Sequence, residues 1–150
     1  MLNQFLNYEP YSYLVIALVL GLVLGLERTL AHKTAGLRTY ALVSLGAALF
    51  VTLAQEVSPA LDLSSPGQMY ILQGLIIGIG FVGGGAILHA REHNQDHTSG
   101  LTTAAGLWLA SGIGAAAGYG LVSLAVFTTL ATLTVFTFFW FVEHKIVGNR

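Results

Sequence analysis

Four long stretches of the chain carry no Asp, Glu, Lys or Arg and consist mainly of aliphatic and aromatic residues. The last of these stretches, 98–142, is 45 residues long. A helix rises about 1.5 Å per residue and the hydrocarbon core of a bilayer is about 30 Å thick, so this stretch must cross the membrane twice. The only turn signal near the middle of that stretch is Gly118-Tyr119-Gly120. The pattern predicts an all-α polytopic membrane protein, one domain over 1–150. The charge-free stretches are 10–26, 39–55, 63–90 and 98–142, and the five predicted transmembrane helices lie near 11–29, 38–56, 67–90, 101–118 and 121–143.

The third stretch contains an unusual run, Gly74–Leu88, with six glycines among large aliphatic residues. In water each interior glycine costs a helix about 1 kcal/mol relative to alanine, whereas in lipid small residues let helix backbones approach closely. We therefore expect this helix to be the centre against which the other helices pack. A break at Gly83–Gly85 would indicate a binding cleft, and a continuous helix would favour plain packing. The glycines expected at helix contacts or in a cleft are Gly78, Gly80, Gly83, Gly84 and Gly85.

Composition excludes several classes of function. The chain is 55% hydrophobic and only 9% charged, and its net charge of -1 gives no basis for a nucleic-acid partner. Cysteine is absent, so disulfides, thiolate metal sites and cysteine nucleophiles are excluded. There is no nucleophile elbow and no Walker loop, and Gly80–Gly85 lacks the strand that precedes a dinucleotide fingerprint. We therefore expect neither an enzyme nor a bound cofactor.

The basic residues predict the orientation in the membrane. All six lie in or beside the first and third connections or in the C-terminal tail: Arg28, Lys33, Arg38, Arg91, Lys145 and Arg150. The positive-inside rule makes that side cytoplasmic, with the N-terminus outside and the C-terminus in the cytoplasm. The first residues lack the basic n-region of a cleavable signal peptide, so the first helix is expected to stay in the mature protein.

An internal repeat is suggested at an offset of 64 residues, where Gly36–Ala41 aligns with Gly100–Ala105. At the same offset Gly21 aligns with Gly85. Helices 1–2 and 3–4 would then be two hairpins of like topology related by an axis along the membrane normal, with the fifth helix outside the repeat. The alternative is chance similarity among Gly, Leu, Thr and Ala, and superposition of the two hairpins decides between them.

The charged groups at the first cytoplasmic turn are the leading candidates for function. One interpretation treats Glu27, Arg28 and Arg38 as interfacial anchors, with Glu27 pairing Arg38 and locking helices 1 and 2. The other places Arg38 and Thr39 in the first turn of helix 2, where free N–H groups favour an anion or a partner's carboxylate. The matching helix start in the second hairpin carries Thr102 and Thr103, which act either as caps or as part of the same cytoplasmic face.

Three histidines occur at steps of four residues in the third connection: His89, His93 and His97. On one continued helix their imidazoles would share a face, as metal ligands require. A solvated loop is the alternative interpretation, because Asn94 and Ser99 interrupt the same segment.

Several of these motifs occur in a fixed order. They are Gly21-x3-Gly25-Leu26-Glu27-Arg28, Lys33-x-Ala35-Gly36-Leu37-Arg38-Thr39, Gly78-x-Gly80-Phe81-x-Gly83-x-Gly85-Ala86-Ile87 and Gly100-Leu101-Thr102-Thr103-Ala104-Ala105 with Trp108. In this combination the chain resembles the MgtC/SapB family of bacterial inner-membrane proteins, from about Gly21 to Gly120.

The resemblance implies a role in magnesium homeostasis, and in virulence members a role in survival at low magnesium and inside macrophages. It also implies regulation without magnesium transport, because the best-described member binds and restrains the F-type ATP synthase. Family members often carry a soluble domain after the last helix, which this sequence is expected to lack. The histidine-rich connection is longer and more polar than the family pattern, and the cysteine of the virulence members is missing.

We therefore expect a non-enzymatic protein, surrounded by membrane lipid, that docks to a membrane protein partner such as the F-type ATP synthase and forms a homodimer. The alternative is a small homodimeric transporter or channel for an ion or small solute, with its path along the glycines of helix 3. Intramembrane acids normally mark ion paths, and their absence in mid-span counts against that alternative.

Overall fold

The computed structural model describes residues 9–57, 66–92, 97–139, 141–142 and 145, and the regular structure in these ranges is helical throughout. The first four helices are long and apolar enough to cross a membrane, and the fifth forms a shorter apolar helix together with a π-helical segment. The predicted all-α fold with five helices is confirmed. Its elements are α1 (Glu9–Leu30), α2 (Leu37–Val57), α3 (Pro66–Glu92), α4 (His97–Gly118), α5 (Val122–Thr134) and the π-helical segment Val135–Phe139.

The predicted turn between the last two helices is present. Gly120 has φ +75°, the left-handed conformation that glycine adopts without steric cost. Its N–H donates to the carbonyl of Ala117 at 2.8 Å, and the N–H of Leu121 donates to the carbonyl of Ala116 at 2.9 Å. This is the Schellman pattern that ends a helix, so α4 stops and the chain reverses into α5.

The centre of the bundle is α4, and the expectation that the glycine-rich α3 occupies it is wrong. Within the described residues α4 contacts each of the other four helices. In the membrane-spanning part of α4, 56% of residues are buried inside the molecule, against 11% for α3. The reason is that α4 carries small residues on several of its faces. A Cβ added at Gly118 would lie 2.8 Å from the carbonyl oxygen of Ala48 in α2, so α2 and α4 touch through their backbones.

The helices alternate in direction, which brings the basic residues of the described ranges together. α1 ends and α2 begins at the same end of the bundle at which α3 ends and α4 begins, and we call this the basic end. It carries Arg28, Lys33 and Arg38, and Arg91 lies in the last turn of α3. The clustering is the one expected from the sequence, and the side of the membrane that the basic end faces stays a prediction. The second connection, over 58–65, lies outside the described residues.

Two hairpins are formed by α1 with α2 and by α3 with α4, as the internal repeat requires. Their packing differs at one matched pair of positions. A Cβ added at Gly21 would lie 2.8 Å from the Cβ of Ser44, whereas one added at Gly85 would meet nothing within 4 Å. Superposition of the two hairpins stays a prediction.

Candidate functional site at the basic end

An ion pair closes the last turn of α1. The Arg28 guanidinium donates from Nη2 to Glu27 Oε1 at 2.7 Å and from Nε to Glu27 Oε2. The Arg28 side chain is 3% exposed and that of Glu27 is 18% exposed. Adjacent residues on a helix do not normally face each other, so the Glu27 side chain must fold along the helix surface to reach the buried Arg28 guanidinium. A buried charge without such a partner would be strongly destabilising.

This pairing corrects one expectation. Glu27 does not bind Arg38, whose side chain is exposed. The link between α1 and α2 is made instead by Thr29, whose hydroxyl donates to the carbonyl of Gly25 and accepts a hydrogen bond from the N–H of Leu37, both at 2.9 Å. Thr29 therefore satisfies one of the free N–H groups in the first turn of α2, the turn in which an anion was hypothesised to bind.

An aromatic ring covers the ion pair. The Phe136 ring lies in the π-helical segment after α5, and its centroid is 3.6 Å from the Arg28 guanidinium carbon. A cation over an aromatic face is worth about 2 kcal/mol when both groups are desolvated, and both are buried here. Single π-helical turns are rare and often occur at functional sites. The π-helical turn of this protein, Val135–Phe139, contains Phe136.

A second ring completes the cluster from α2. The hydroxyl of Tyr40, which is fully buried, donates to the carbonyl of Thr103 in α4 at 3.3 Å. Both rings pack against Gly106, because a Cβ there would collide with the Tyr40 hydroxyl and lie 2.7 Å from Phe136 Cζ. Four elements thus meet around one ion pair. We call Glu27, Arg28, Tyr40, Thr103 and Phe136 the basic-end cluster.

The predicted cytoplasmic-face residues fall into two groups. Arg38 and Thr102 are exposed at the surface of the basic end, and Thr39 is half-buried. Arg28 and Thr103 are buried, at 2% and 0% exposure, and belong with Glu27 to the cluster beneath that surface.

Sequence reasoning missed Tyr40 and Phe136. Tyr40 carries a weak signal, as a tyrosine in the first turn of an otherwise small and aliphatic helix. Phe136 carries none, because it is one of eight phenylalanines and its role depends on where α5 packs.

The glycines of α3 play different roles, and the helix is continuous through Gly83–Gly85. The broken-helix cleft is therefore absent at Gly83–Gly85, and of the five predicted glycines only Gly83 packs closely against another described helix. Gly83 faces α4, where a Cβ would lie 3.5 Å from the Cβ of Ala104. At Gly78, Gly80, Gly84 and Gly85 a Cβ would meet nothing within 4 Å, so these four glycines make no close helix contact within the described part of the molecule.

A groove of about 790 Å³ separates α2 from the half of α3 that lies away from the basic end. Its walls are mainly aliphatic, with Gly46 on α2 and Gly74 and Gly78 on α3. Ser111 of α4 also lines the groove and is 6% exposed. The groove exists because α3 packs closely on α4 but only loosely on α2.

The histidine hypothesis is not decided by the structure. His89 is exposed near the end of α3, His93 lies outside the described residues, and of His97 only the backbone is described, at the start of α4. Within the described ranges there is no group of three His, Asp or Glu side chains that could hold a metal ion. The metal site stays a prediction.

Comparison with known proteins places this arrangement in a family. A family model described as the MgtC family matches residues 14–145. The chain is 34% identical over 125 residues to Protein SrpB of Synechococcus elongatus, covering 80% of this chain and 69% of that protein. It is 39% identical over 108 residues to Protein MgtC of Salmonella typhimurium, covering 72% of this chain and 42% of that protein.

A third relative is the Putative magnesium transporter YhiD of Escherichia coli, 35% identical over 140 residues, covering 91% of this chain and 63% of that protein. The chain thus spans less than half of the Salmonella protein's length and about two thirds of the other two. No solved structure gives a significant match.

Proposed function

The chain belongs to the MgtC family of multi-pass inner-membrane proteins, and from this premise we propose that it is a magnesium-related, non-enzymatic regulator that docks to a membrane protein partner through its basic end. The observation that carries the proposal is the division of that end into a rigid frame and an exposed surface. The frame is the basic-end cluster. The surface carries Arg38 and Thr102, with Lys33 and His32 in the neighbouring connection.

The frame supports docking because it holds four elements in fixed relation. Arg28 is occupied by Glu27 and Phe136, so it cannot reach a partner directly. Its role is to fix the end of α1 against the segment after α5, while Tyr40 fixes α2 against α4. Preorganised surfaces bind with a smaller entropy loss, which is what a docking surface needs. Arg38 then supplies a planar, permanently charged fork for a partner's carboxylate.

The resemblance of this chain to a family whose best-described member restrains the F-type ATP synthase suggests that enzyme as the partner. The test is ATP-driven proton pumping in inverted bacterial membrane vesicles, followed with a pH-sensitive dye. We expect the chain to lower the initial pumping rate at least twofold, and Arg38→Ala with Thr102→Val to restore it. Tyr11→Ala is the matched control, because Tyr11 is 58% exposed at the opposite end of the bundle, and should keep the inhibition.

If the unsubstituted chain leaves pumping unchanged, the ATP synthase is not the partner. If all variants inhibit equally, the basic end is not the docking surface.

A second candidate function is magnesium transport, which the name of the Escherichia coli relative suggests. Mg²⁺ needs oxygen ligands in near-octahedral geometry and gives up its water reluctantly. The groove between α2 and α3 offers mainly aliphatic walls, with Ser111 and Tyr70 as its hydroxyl-bearing residues. We therefore expect no Mg²⁺ entry into proteoliposomes containing a Mg²⁺-sensitive dye beyond that of protein-free liposomes. Flux above that background would favour transport over docking.

A further inference from the structure

The outward face of α3, turned away from α4, carries a regular stripe of residues. Gln73, Ile77, Gly80 and Gly84 follow one another at steps of four, three and four residues, which places them on one side of the helix. Ile77 is 68% exposed, and Gln73 and Gly80 are also exposed. Phe81 lies beside the stripe and is 89% exposed. We call these four stripe residues the α3 seam.

Glycine pairs at this spacing serve a purpose elsewhere in the molecule. At Gly21 and Gly25 of α1 a Cβ would lie within 3 Å of α2 backbone atoms, so those two glycines allow close helix contact. Gly80 and Gly84 have the same spacing, but an added Cβ would meet nothing within 4 Å. The pair is therefore not used in the packing of the described residues. In lipid, such a pair is typical of a contact between helices.

Gln73 is an independent observation on the same face. It lies inside the membrane-spanning part of α3, Met69–Ala90, and its amide makes no hydrogen bond with another residue of the described ranges. An amide in hydrocarbon without a partner is costly, and polar side chains on membrane helices commonly bond across to a neighbouring helix. The seam thus combines a pair of small residues with a polar group that needs a partner.

We propose that the α3 seam is a homodimer interface in which α3 packs in parallel against α3 of a second copy. Two copies inserted with the same orientation are related by a two-fold axis along the membrane normal, so each seam residue meets its own counterpart at the same depth. Two Gln73 amides can then donate to each other reciprocally. Gly80 and Gly84 let the two backbones approach, and the Phe81 ring fills the space beside them. This inference is independent of the proposed docking function.

The available surface is large enough for such a dimer. On the outward side of α3, Phe81 is 89% exposed, Ile77 is 68% exposed and Leu88 is 63% exposed, and Gln73 is exposed as well. One aromatic ring, two aliphatic side chains and the Gln73 side chain present on the order of 500 Å² per copy. Two copies would then bury about 1,000 Å², the size at which a specific interface becomes stable if its surfaces fit well.

The natural absence of cysteine makes a direct test possible, since a single introduced cysteine reports only on its own position. We would place one cysteine at a time at Ile77, Gly80 and Gly84 and oxidise native membranes. Matched positions are Val82, on the groove side of α3, and Phe127, which is 70% exposed on α5. We expect a disulfide-linked dimer at the three seam positions, at least fivefold above the two matched positions. Dimers at Phe127 but not at the seam, or equal yields everywhere, would overturn the proposal.

A second measurement does not depend on crosslinking. Gly80→Leu adds bulk where the monomer has open space, so the fold should be kept while the seam is blocked. Gly46→Leu is the control, because Gly46 is equally open but faces the groove on α2. Single-molecule photobleaching at low density should show mostly two-step traces for the unsubstituted chain and the control, and mostly one-step traces for Gly80→Leu. One-step traces for the unsubstituted chain would mean that lipid alone covers the seam, and would refute the dimer.

Discussion

Two glycines of α4, two residues apart, should respond in opposite ways to the same substitution. A Cβ at Gly114 would collide with the carbonyl oxygen of Ser44 and lie 2.7 Å and 2.8 Å from the Ser44 carbonyl carbon and Cα. All three are backbone atoms of α2, which cannot move without shifting the helix. A Cβ at Gly112 would meet nothing within 4 Å. Gly114→Ala therefore tests whether backbone contact between α2 and α4 holds the centre of the bundle, and Gly112→Ala is its matched control.

The expected magnitudes follow from these contacts. Overpacking a close-packed site costs about 1–3 kcal/mol, and Gly114→Ala should fall near the upper value because no side chain can give way. Gly112→Ala gains helix propensity, up to about 1 kcal/mol, without a clash. The same gain in helix propensity applies at Gly114, so the two variants should differ in the free energy of unfolding by the overpacking cost alone, about 3 kcal/mol. At roughly 2–4 °C per kcal/mol for a chain of this size, their melting temperatures should differ by about 6–12 °C.

The assay is thermal unfolding of the purified protein in mild detergent, followed by circular dichroism at 222 nm, with both variants at the same detergent concentration. Hydrophobic transfer contributes equally to both variants, so the difference reports the contact at Ser44. If Gly114→Ala melts within 2 °C of Gly112→Ala, the close approach of α2 and α4 at this point is not present in the protein, and the central position of α4 is wrong.

Three further predictions concern the basic end and the helix ends, and the same melting assay checks them. Glu27→Ala leaves the buried guanidinium of Arg28 unpaired and should cost about 3 kcal/mol, whereas the double variant with Arg28→Met should recover most of that loss; a double variant no more stable than the single one would contradict the ion-pair interpretation. The turn after α1 has the same Schellman pattern as the turn at Gly120, because the N–H of His32 donates to the carbonyl of Thr29 at 3.1 Å and the N–H of Lys33 donates to the carbonyl of Arg28 at 3.0 Å. His32 has φ +53°, so His32→Gly should stabilise the protein by up to about 1 kcal/mol, while Gly120→Ala, at φ +75°, should destabilise it by a similar amount; the same effect from both substitutions would contradict the two Schellman turns. Tyr40→Phe removes a long hydrogen bond of 3.3 Å and should cost only about 0.6 kcal/mol, so a much larger loss would show that the Tyr40 hydroxyl has a further role.

The candidate site was partly predictable. Glu27, Arg28 and Thr103 were identified from the sequence because ionisable and hydroxyl groups at membrane-helix ends are rare and stand out. The arrangement of these residues was not predictable. Glu27 pairs with its neighbour Arg28, and the aromatic ring over this ion pair belongs to Phe136, more than 100 residues away in the sequence. Neither contact leaves a periodic signal in the chain.

What the sequence determined by itself was the number of helices, their approximate ends and the turn at Gly118–Gly120, because the length of a charge-free run and a glycine in the left-handed region are local properties. What only the tertiary structure decided was which helix is central and which face of each helix meets another. In a soluble protein the hydrophobic side of a helix points to the core, but in lipid every side can be apolar. Which helix faces become buried therefore depends on how small and large residues fit between helices. That fit places α4 at the centre of the bundle and leaves one face of α3 without a neighbouring helix among the described residues.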